Sequence, residues 1–527
     1  MIQLKSFLDG QNKEIKKIST EMNLSHWEAL ISGKKEAYQN YEKKAIELEK
    51  YFTDKENFKK IKSFLEIVKD PLEKRQLELL YLSYLSGQGD LKLIEEITKR
   101  SALIEQKFNT FRANLNGEEL TDNEIKEILK HEKDSEKLRK TWEASKKQGE
   151  IVEKEVIELV KLRNKLAKSL GFENYYVMDL ELEEQKEEEI EKIFLELEKS
   201  TQEPFKVLKN ELDVVFSKRY GIEKGELKPW HYHNLFFQEG PEIFDIGLDK
   251  IYNKDILEIT KKFYQELNLE VRDILERSDL YEKPGKYQHA CCMNINREGD
   301  VRIVENIKNN ESWMSTTLHE LGHAVYDKYC DKVLPFLLKE NAHIFVTEAI
   351  AILFERNSKN KAFIRRCGNI ESEDVEKIEK EIRKQLKLDE LVFLKWAQVV
   401  FHFERELYKN PEQDLNKLWW SLVKKYQLID FSRDKPDWAS KIHLACYPVY
   451  YHNYVLGKIL ASQINHYIFK DILKQDSENP DYSNPKIGDY LKEKIFMLGK
   501  KYRWDKLIEK ALGEPLTSKY FVEDFCN

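Results

Sequence analysis

The sequence predicts a mostly α-helical protein, and three observations carry that prediction. Apolar residues recur at spacings of three and four over most of the chain, with charge between them. Lysine and glutamate interleave along those stretches, as in EKEVIELVKLRNKLAKSL (153–170), which is how a solvated helix face reads. Helix breakers are sparse: 19 glycines and 12 prolines in 527 residues leave no Ser/Gly-rich or Pro-rich linker. The length admits several domains, but the missing linkers favour one contiguous helical body over 1–527, with room for two lobes.

Taken in order, helical spacing marks 35–52, 56–68, 72–86, 90–115, 122–132, 134–148, 150–170 and 185–215. It marks 255–277, 312–330, 344–357, 373–386, 388–408, 414–426 and 447–471 in the second half. One stretch reads differently. KYQHACCMNINREGDVRIVEN (286–306) is two short runs around NREGD, which predicts a β-hairpin just before the helix at 312–330.

Composition excludes several classes of function. The net charge of -7 argues against a nucleic-acid partner, because a phosphate-binding face needs a basic excess. Cys291, Cys292, Cys330, Cys367, Cys446 and Cys526 form no CxxC pair, which fits a reduced, cytoplasmic compartment. The N-terminal MIQLKSFLDGQNKEIKK has no apolar core of signal-peptide length, and no run approaches the roughly 20 apolar residues of a membrane span.

Chemistry concentrates in TTLHELGHAVYD (316–327). On a helix, residues four apart share a face, so the imidazoles of His319 and His323 point the same way and can share one zinc ion. Glu320 is turned about 100° away, placing it beside a metal-activated water as a general base rather than on the metal. Gly322 costs the helix about 1 kcal/mol relative to alanine, and its missing side chain would let another backbone approach closely. With 12 histidines in the chain, an accidental HExxH is expected on the order of 0.03 times, so coincidence is the weaker reading. A catalytic zinc needs a third protein ligand. Glu348 in HIFVTEAIAILFER (343–356) is the best candidate, because a carboxylate is costly to bury on such an apolar run without a partner. Asp327, Glu340 and Glu355 are rivals, and Glu355, two turns past Glu348, also suits a carboxylate that orients a histidine.

HELGH, with 24 residues between His323 and Glu348, resembles the zinc oligopeptidases of the thimet oligopeptidase and oligoendopeptidase F type, and the related angiotensin-converting enzyme. TWEASKKQ (141–148), LRNKLAKSLGFENYY (162–176), GKYQHACC (285–292), KLWWSLVKKYQ (417–427) and KIHLACYPVYYHNY (441–454) are similar to stretches of those families. The likeness covers about 140–470, and the first 130 residues match only in helical character. It implies a two-lobed helical ellipsoid with a deep central channel and a small hairpin beside the zinc helix. It also implies one zinc ion per chain and short, unstructured peptides as substrates.

His443, Tyr447, Tyr451 and Tyr454 fall on one face if 441–454 is a continuous helix. By resemblance, His443 and Tyr454, with Tyr451 alongside, stabilise the oxyanion formed as water attacks the peptide. Tyr447, on the same face, is expected to be a substrate contact. The resemblance also implies that the backbone of His289 and Ala290 pairs with the extended substrate as a strand edge. Lys441 matches the lysine that anchors a substrate C-terminal carboxylate. The partner glutamine of that lysine is expected in PWHYHN (229–234), where Tyr232 stands instead, which weakens a strict dipeptidyl-carboxypeptidase reading. The activity expected is therefore oligoendopeptidase cleavage. A peptidyl-dipeptidase on the same site and a catalytically inactive helical binding or scaffold protein are the alternatives.

Overall fold

The structure, a computed structural model, describes residues 2–244, 246–287, 289–368, 372–475 and 481–526. Those residues form 22 α-helices and two antiparallel pairs of short strands, so the mostly α prediction holds. No helix among them is long and apolar enough to cross a membrane.

Many helices start where a side chain can accept from the free N–H groups of the first turn. Asp54, Asp70, Asp90, Asp134 and Asp255 each do so, and Thr121 with Glu124 forms a reciprocal capping box. The predicted starts at 56, 72, 90, 122, 134 and 255 accordingly fall within one residue of the observed ones.

Four departures are instructive. The segments 134–148 and 150–170 are one helix, Ser135–Ser169, which runs through Gly149. That glycine is where the chain at Pro436 presses in, since a Cβ there would lie 2.2 Å from the Pro436 carbonyl oxygen. Likewise 373–386 and 388–408 are one helix, Ser372–Lys409. The segment 90–115 ends as a helix at Thr110, and Ala113–Leu115 (β1) pairs with Glu118–Leu120 (β2). The turn is Asn116-Gly117, with φ of 55° and 95°, an Asn-Gly hairpin signal that the helical spacing around it hid. The segment 255–277 breaks into Ile256–Glu266 and Arg272–Arg277 at Asn268, whose φ is 60°. Ile2–Ser32 and the helices after Asn484 were not among the predicted segments.

The chain divides into two compact units. The first comprises Met1–Gln88, Ile246–Lys380 and Leu456–Phe521, and the second Gly89–Asp245, Glu381–Val455 and Val522–Asn527. In the first unit the predicted hairpin forms: Cys291–Asn294 (β3) pairs with Val301–Val304 (β4) in the register Cys291↔Val304 to Asn294↔Val301. Its turn uses Arg297 and Gly299 at φ of 55° and 105°, and Asn296 Oδ1 accepts from the N–H groups of Glu298 and Asp300. Trp27 and Leu30 of Ile2–Ser32 pack on Ile295 and Val304 and seat the hairpin.

Against the hairpin lies the helix Glu311–Tyr329, which carries His319, Glu320 and His323, and beyond it the helix Ile344–Glu355 with Glu348. The two helices are in close backbone contact at Gly322: a Cβ there would lie 2.7 Å from Ala351 Cα. The close approach expected of that glycine is therefore present. Gly322→Ala would gain about 1 kcal/mol of helix propensity but force two backbones apart, at a cost of roughly 1–3 kcal/mol. Chemical denaturation is expected to show a net loss of stability. Gly225→Ala, where nothing lies within 4 Å of the new methyl, should stay near wild type.

Candidate metal centre

The helix Glu311–Tyr329 begins at Asn310, whose side chain accepts from the Trp313 N–H at 2.9 Å. One and two turns on, its buried stripe of Met314, Leu318, Leu321 and Val325 fixes its rotation. That rotation leaves His319 and His323 together on a half-buried face, with their rings 4.9 Å apart. The two Nε2 atoms are 3.2 Å apart, and Glu348 Oε2 is 3.7 Å from His319 Nε2. Tetrahedral bonds of 2.0–2.1 Å place donor atoms about 3.3 Å apart, so this spacing fits a single zinc ion. Among the described residues, His319, His323 and Glu348 are the group able to hold one, with donor atoms all within 4.8 Å of one another. Two imidazoles and a carboxylate are also donors that suit zinc.

The far side of each ring is held as well. Glu355 Oε2 accepts from His319 Nδ1 at 2.8 Å, and Thr347 Oγ1 lies 2.8 Å from His323 Nδ1. Glu348 and Glu355 are seven apart on a helix that is otherwise almost wholly buried, so both carboxylates emerge on one face. Glu355 thus takes the orienting place foreseen for it. Thr347 was not foreseen, since a threonine beside a glutamate on an apolar helix carries no signal of its own. The other rivals are occupied elsewhere. Glu340 pairs with Arg297 and with Lys500 (2.8 Å), and Asp327 is held by the side chains of Asn294 and Asn341.

Electrostatics split the two histidines. Burial pulls His319 down, but Glu355, Glu320 and Glu348 together push it up to about 9. Burial and the neighbouring His319 hold His323 far below the usual range. Burial raises Glu348 against the pull of His319. Glu355 is held at about 2, where His319 and nearby lysines outweigh burial. Glu320 is buried, and burial, with Glu348 and Glu355, pushes its carboxyl up to about 7 against the pull of His319. It accepts a hydrogen bond from the Cys292 N–H, so strand β3 fixes its position. Behind Glu320 lies Glu305, which sequence reasoning missed. Thr317 Oγ1 donates to its Oε2 at 3.1 Å, while burial and then Glu320 push its pKa well above the usual carboxylate range.

The hairpin departs slightly from expectation. β3 starts at Cys291, so His289 and Ala290 lie just outside the strand. His289 is exposed, its ring 5.4 Å from that of Tyr287. Cys291 packs against the Trp27 cluster; burial pushes its thiol up to about 12 and that of Cys292 well above its ordinary value.

His443, Lys441, Tyr447, Tyr451 and Tyr454 belong to the second unit. They do not share one helix face. The helix Ile442–Cys446 stops, Val449 turns left-handed at φ 55°, and a new helix starts at Tyr451. Tyr447 is half exposed, with its hydroxyl 3.4 Å from Glu105. His443 and Tyr451 do meet, with ring centres 5.0 Å apart, and Tyr454 lies 5.5 Å from Tyr451. Burial, then Lys441, pulls His443 down to about 3, and its Nδ1 has no hydrogen-bond partner among the described residues. Tyr451 accepts from Trp396 Nε1 at 2.8 Å.

One expectation is corrected here. The partner of Lys441 is a glutamine after all: Gln238 Oε1 accepts from Lys441 Nζ at 2.7 Å. Tyr232 is instead buried against Asp213 and Lys209. Lys441 is itself buried among the rings of Phe236, Trp396 and Tyr451, and burial pulls it down to about 8.

An HExxH helix followed by a helix that presents a glutamate is the donor arrangement of the gluzincin metallopeptidases, and the chain is of that class. The profile of peptidase family M3 matches residues 128–526, and the chain belongs to that family. The profile of angiotensin-converting enzyme matches residues 1–232. The likeness therefore extends beyond 140–470 at both ends, and the first 130 residues share more than helical character. "Carboxypeptidase 1" of Bacillus subtilis (strain 168) is 24% identical over 262 residues, 45% of this chain and 52% of that protein. "Thermostable carboxypeptidase 1" of Pyrococcus furiosus is 24% identical over 247 residues, 42% of this chain and 49% of that protein. The chain thus spans about half the length of the relatives it matches.

Two outcomes follow from this geometry. Because His319 must lose its proton to bind a metal, zinc affinity is expected to fall as the pH drops below about 9, with net proton release on binding. Thr347→Val leaves the three donors intact and is expected to weaken zinc about 10–100-fold in competition with a chromophoric chelator. Unchanged affinity would contradict the role given to the threonine.

Proposed function

We propose that this protein hydrolyses peptide bonds in short peptides, with one zinc ion held by His319, His323 and Glu348. The convergence of those three side chains, each backed by a fixed helix and two of them by Glu355 and Thr347, is the observation that carries the reading. Membership of family M3 supports it. Six free thiols suit work in a reducing, cytoplasmic setting.

When bound, zinc supplies Lewis acidity, which polarises the scissile carbonyl and lowers the pKa of water toward neutrality. Glu320 does the proton work. Held beside the two histidines, it takes the proton from the attacking water and hands it to the leaving amine. The Cys292 N–H holds that carboxylate in place. Glu355 and Thr347 keep the Nε2 atoms of the two histidines turned toward the ion. His443, Tyr451 and Tyr454 are the candidate donors to the oxyanion.

A second mode, release of residues from the peptide C-terminus, is favoured by one specific observation. Lys441, which is buried, and Gln238, which is half-buried, form a cation-and-amide pair of the kind that binds a carboxylate, and the two relatives above are named carboxypeptidases. Mass spectrometry of products from free and C-terminally amidated versions of one peptide separates the modes. Internal cleavage is indifferent to the amide, whereas C-terminal release is abolished by it. In either mode Glu320→Gln is expected to keep its zinc and lose about 10²–10⁴-fold in kcat, and undiminished turnover would contradict the base assigned here.

A further inference from the structure

Val449 holds a φ of 55° in the segment that joins His443 to Tyr451. That left-handed region crowds the side chain of any L-residue and is least tolerable for a β-branched one. Val449 is also buried, so it has little room to relax. Something must hold it there, and its backbone N–H donates to Glu404 Oε1 at 2.8 Å.

Glu404 is an unusual residue for its position. It is buried on the helix Ser372–Lys409, where an apolar side chain would cost nothing to desolvate. It takes no part in the chemistry proposed above. The same helix grips the segment at two further points in the second unit. Trp396 Nε1 donates to the Tyr451 hydroxyl at 2.8 Å, and Phe393 lies 6.2 Å from the rings of both Tyr451 and Tyr454. Phe393 and Trp396 hold the rings, whereas Glu404 holds the backbone two residues before the helix Tyr451–Tyr467 begins. The φ of Val449 sets the direction in which that helix leaves the turn, and so where its first two tyrosines point.

We propose that Glu404 is a positioning residue: by holding the Val449 N–H it keeps Val449 left-handed and aims Tyr451 and Tyr454. This rests on the peptidase reading, in which those tyrosines act on the reacting carbonyl. The bond needs an acceptor oxygen rather than a charge. Burial is the largest influence on Glu404 and pushes it up to about 8; the Val449 N–H and Arg163 pull it down, and Asp179 raises it. A neutral carboxyl still offers the acceptor, and so does a glutamine amide.

Glu404→Gln, Glu404→Leu, Val449→Gly and the Leu/Gly double variant test this in the zinc-loaded protein. Glu404→Leu is expected to lower kcat about tenfold or more with KM held within about twofold. Amide hydrogen exchange across residues 447–451 should speed up in the same variant. Glu404→Gln should match wild type in both measurements. Glycine takes the left-handed conformation without strain, so the double variant should have nearly the kcat of Val449→Gly alone. This comparison stands even if Glu404→Leu by itself does not fold. Unchanged kcat and exchange in Glu404→Leu would overturn the proposal, as would a Gln variant as impaired as Leu, or a double variant far below Val449→Gly. Wild-type protein that binds zinc and cleaves no peptide defeats the peptidase reading instead, and the exchange measurement then decides on Glu404 alone.

Discussion

The metal centre depends on how closely two helices can approach. Glu348 meets His319 and His323 only because Glu311–Tyr329 and Ile344–Glu355 touch backbone to backbone, and they touch because position 322 has no side chain. Gly457 repeats the device on the other side of the glutamate, where a Cβ would lie 3.0 Å from Glu348 Cβ. Each glycine weakens its helix by about 1 kcal/mol relative to alanine, so the chain gives up local stability to bring a carboxylate within reach of the histidines. The large apolar residues of Ile344–Glu355 then fix that helix's rotation, which points Glu348 and Glu355 at the histidines.

Charge gives the arrangement its direction. Glu320, Glu305, Glu348 and Glu355 crowd round one imidazole in a largely buried space, and burial first, then that crowding, raises the pKa of each but Glu355. Without a metal, His319 answers by keeping its proton. A divalent cation replaces that proton with a larger positive charge, so the cluster is held ready for a cation that the protein does not itself supply. Burial, with Glu348 and Glu355, also moves the carboxyl of Glu320 up to about 7 in the metal-free protein.

Much of this was legible in the sequence, for identifiable reasons. HELGH places two imidazoles on one face by helical geometry alone, and Glu348 stood out as a carboxylate on an apolar run. Asn296 and Gly299 marked the hairpin: Gly299 takes a positive φ in its turn, and the Asn296 side chain accepts from the turn's N–H groups. What could not be read depends on tertiary contact or on broken periodicity. Thr347 and Glu305 are common residue types whose roles come from what packs against them. Spacing placed four residues of 441–454 on one helix face, but Pro448, which lacks an N–H and clashes with the preceding turn, ends the helix at Cys446, a stop signal the spacing overrode, and the left-handed Val449 then redirects the chain. Gln238 was missed in a similar way. His233 and Phe237 are both left-handed, with φ of 61° and 51°, so the loop folds back and counting along it gives the wrong register.

The central claim is that His319, His323 and Glu348 bind one ion together. A crystal of the zinc-loaded protein, measured on both sides of the zinc absorption edge, tests it directly. The account predicts one strong anomalous peak about 2.0–2.2 Å from a nitrogen of each histidine and an oxygen of Glu348. A peak elsewhere, or one bound by the histidines with Glu348 turned away, would contradict it.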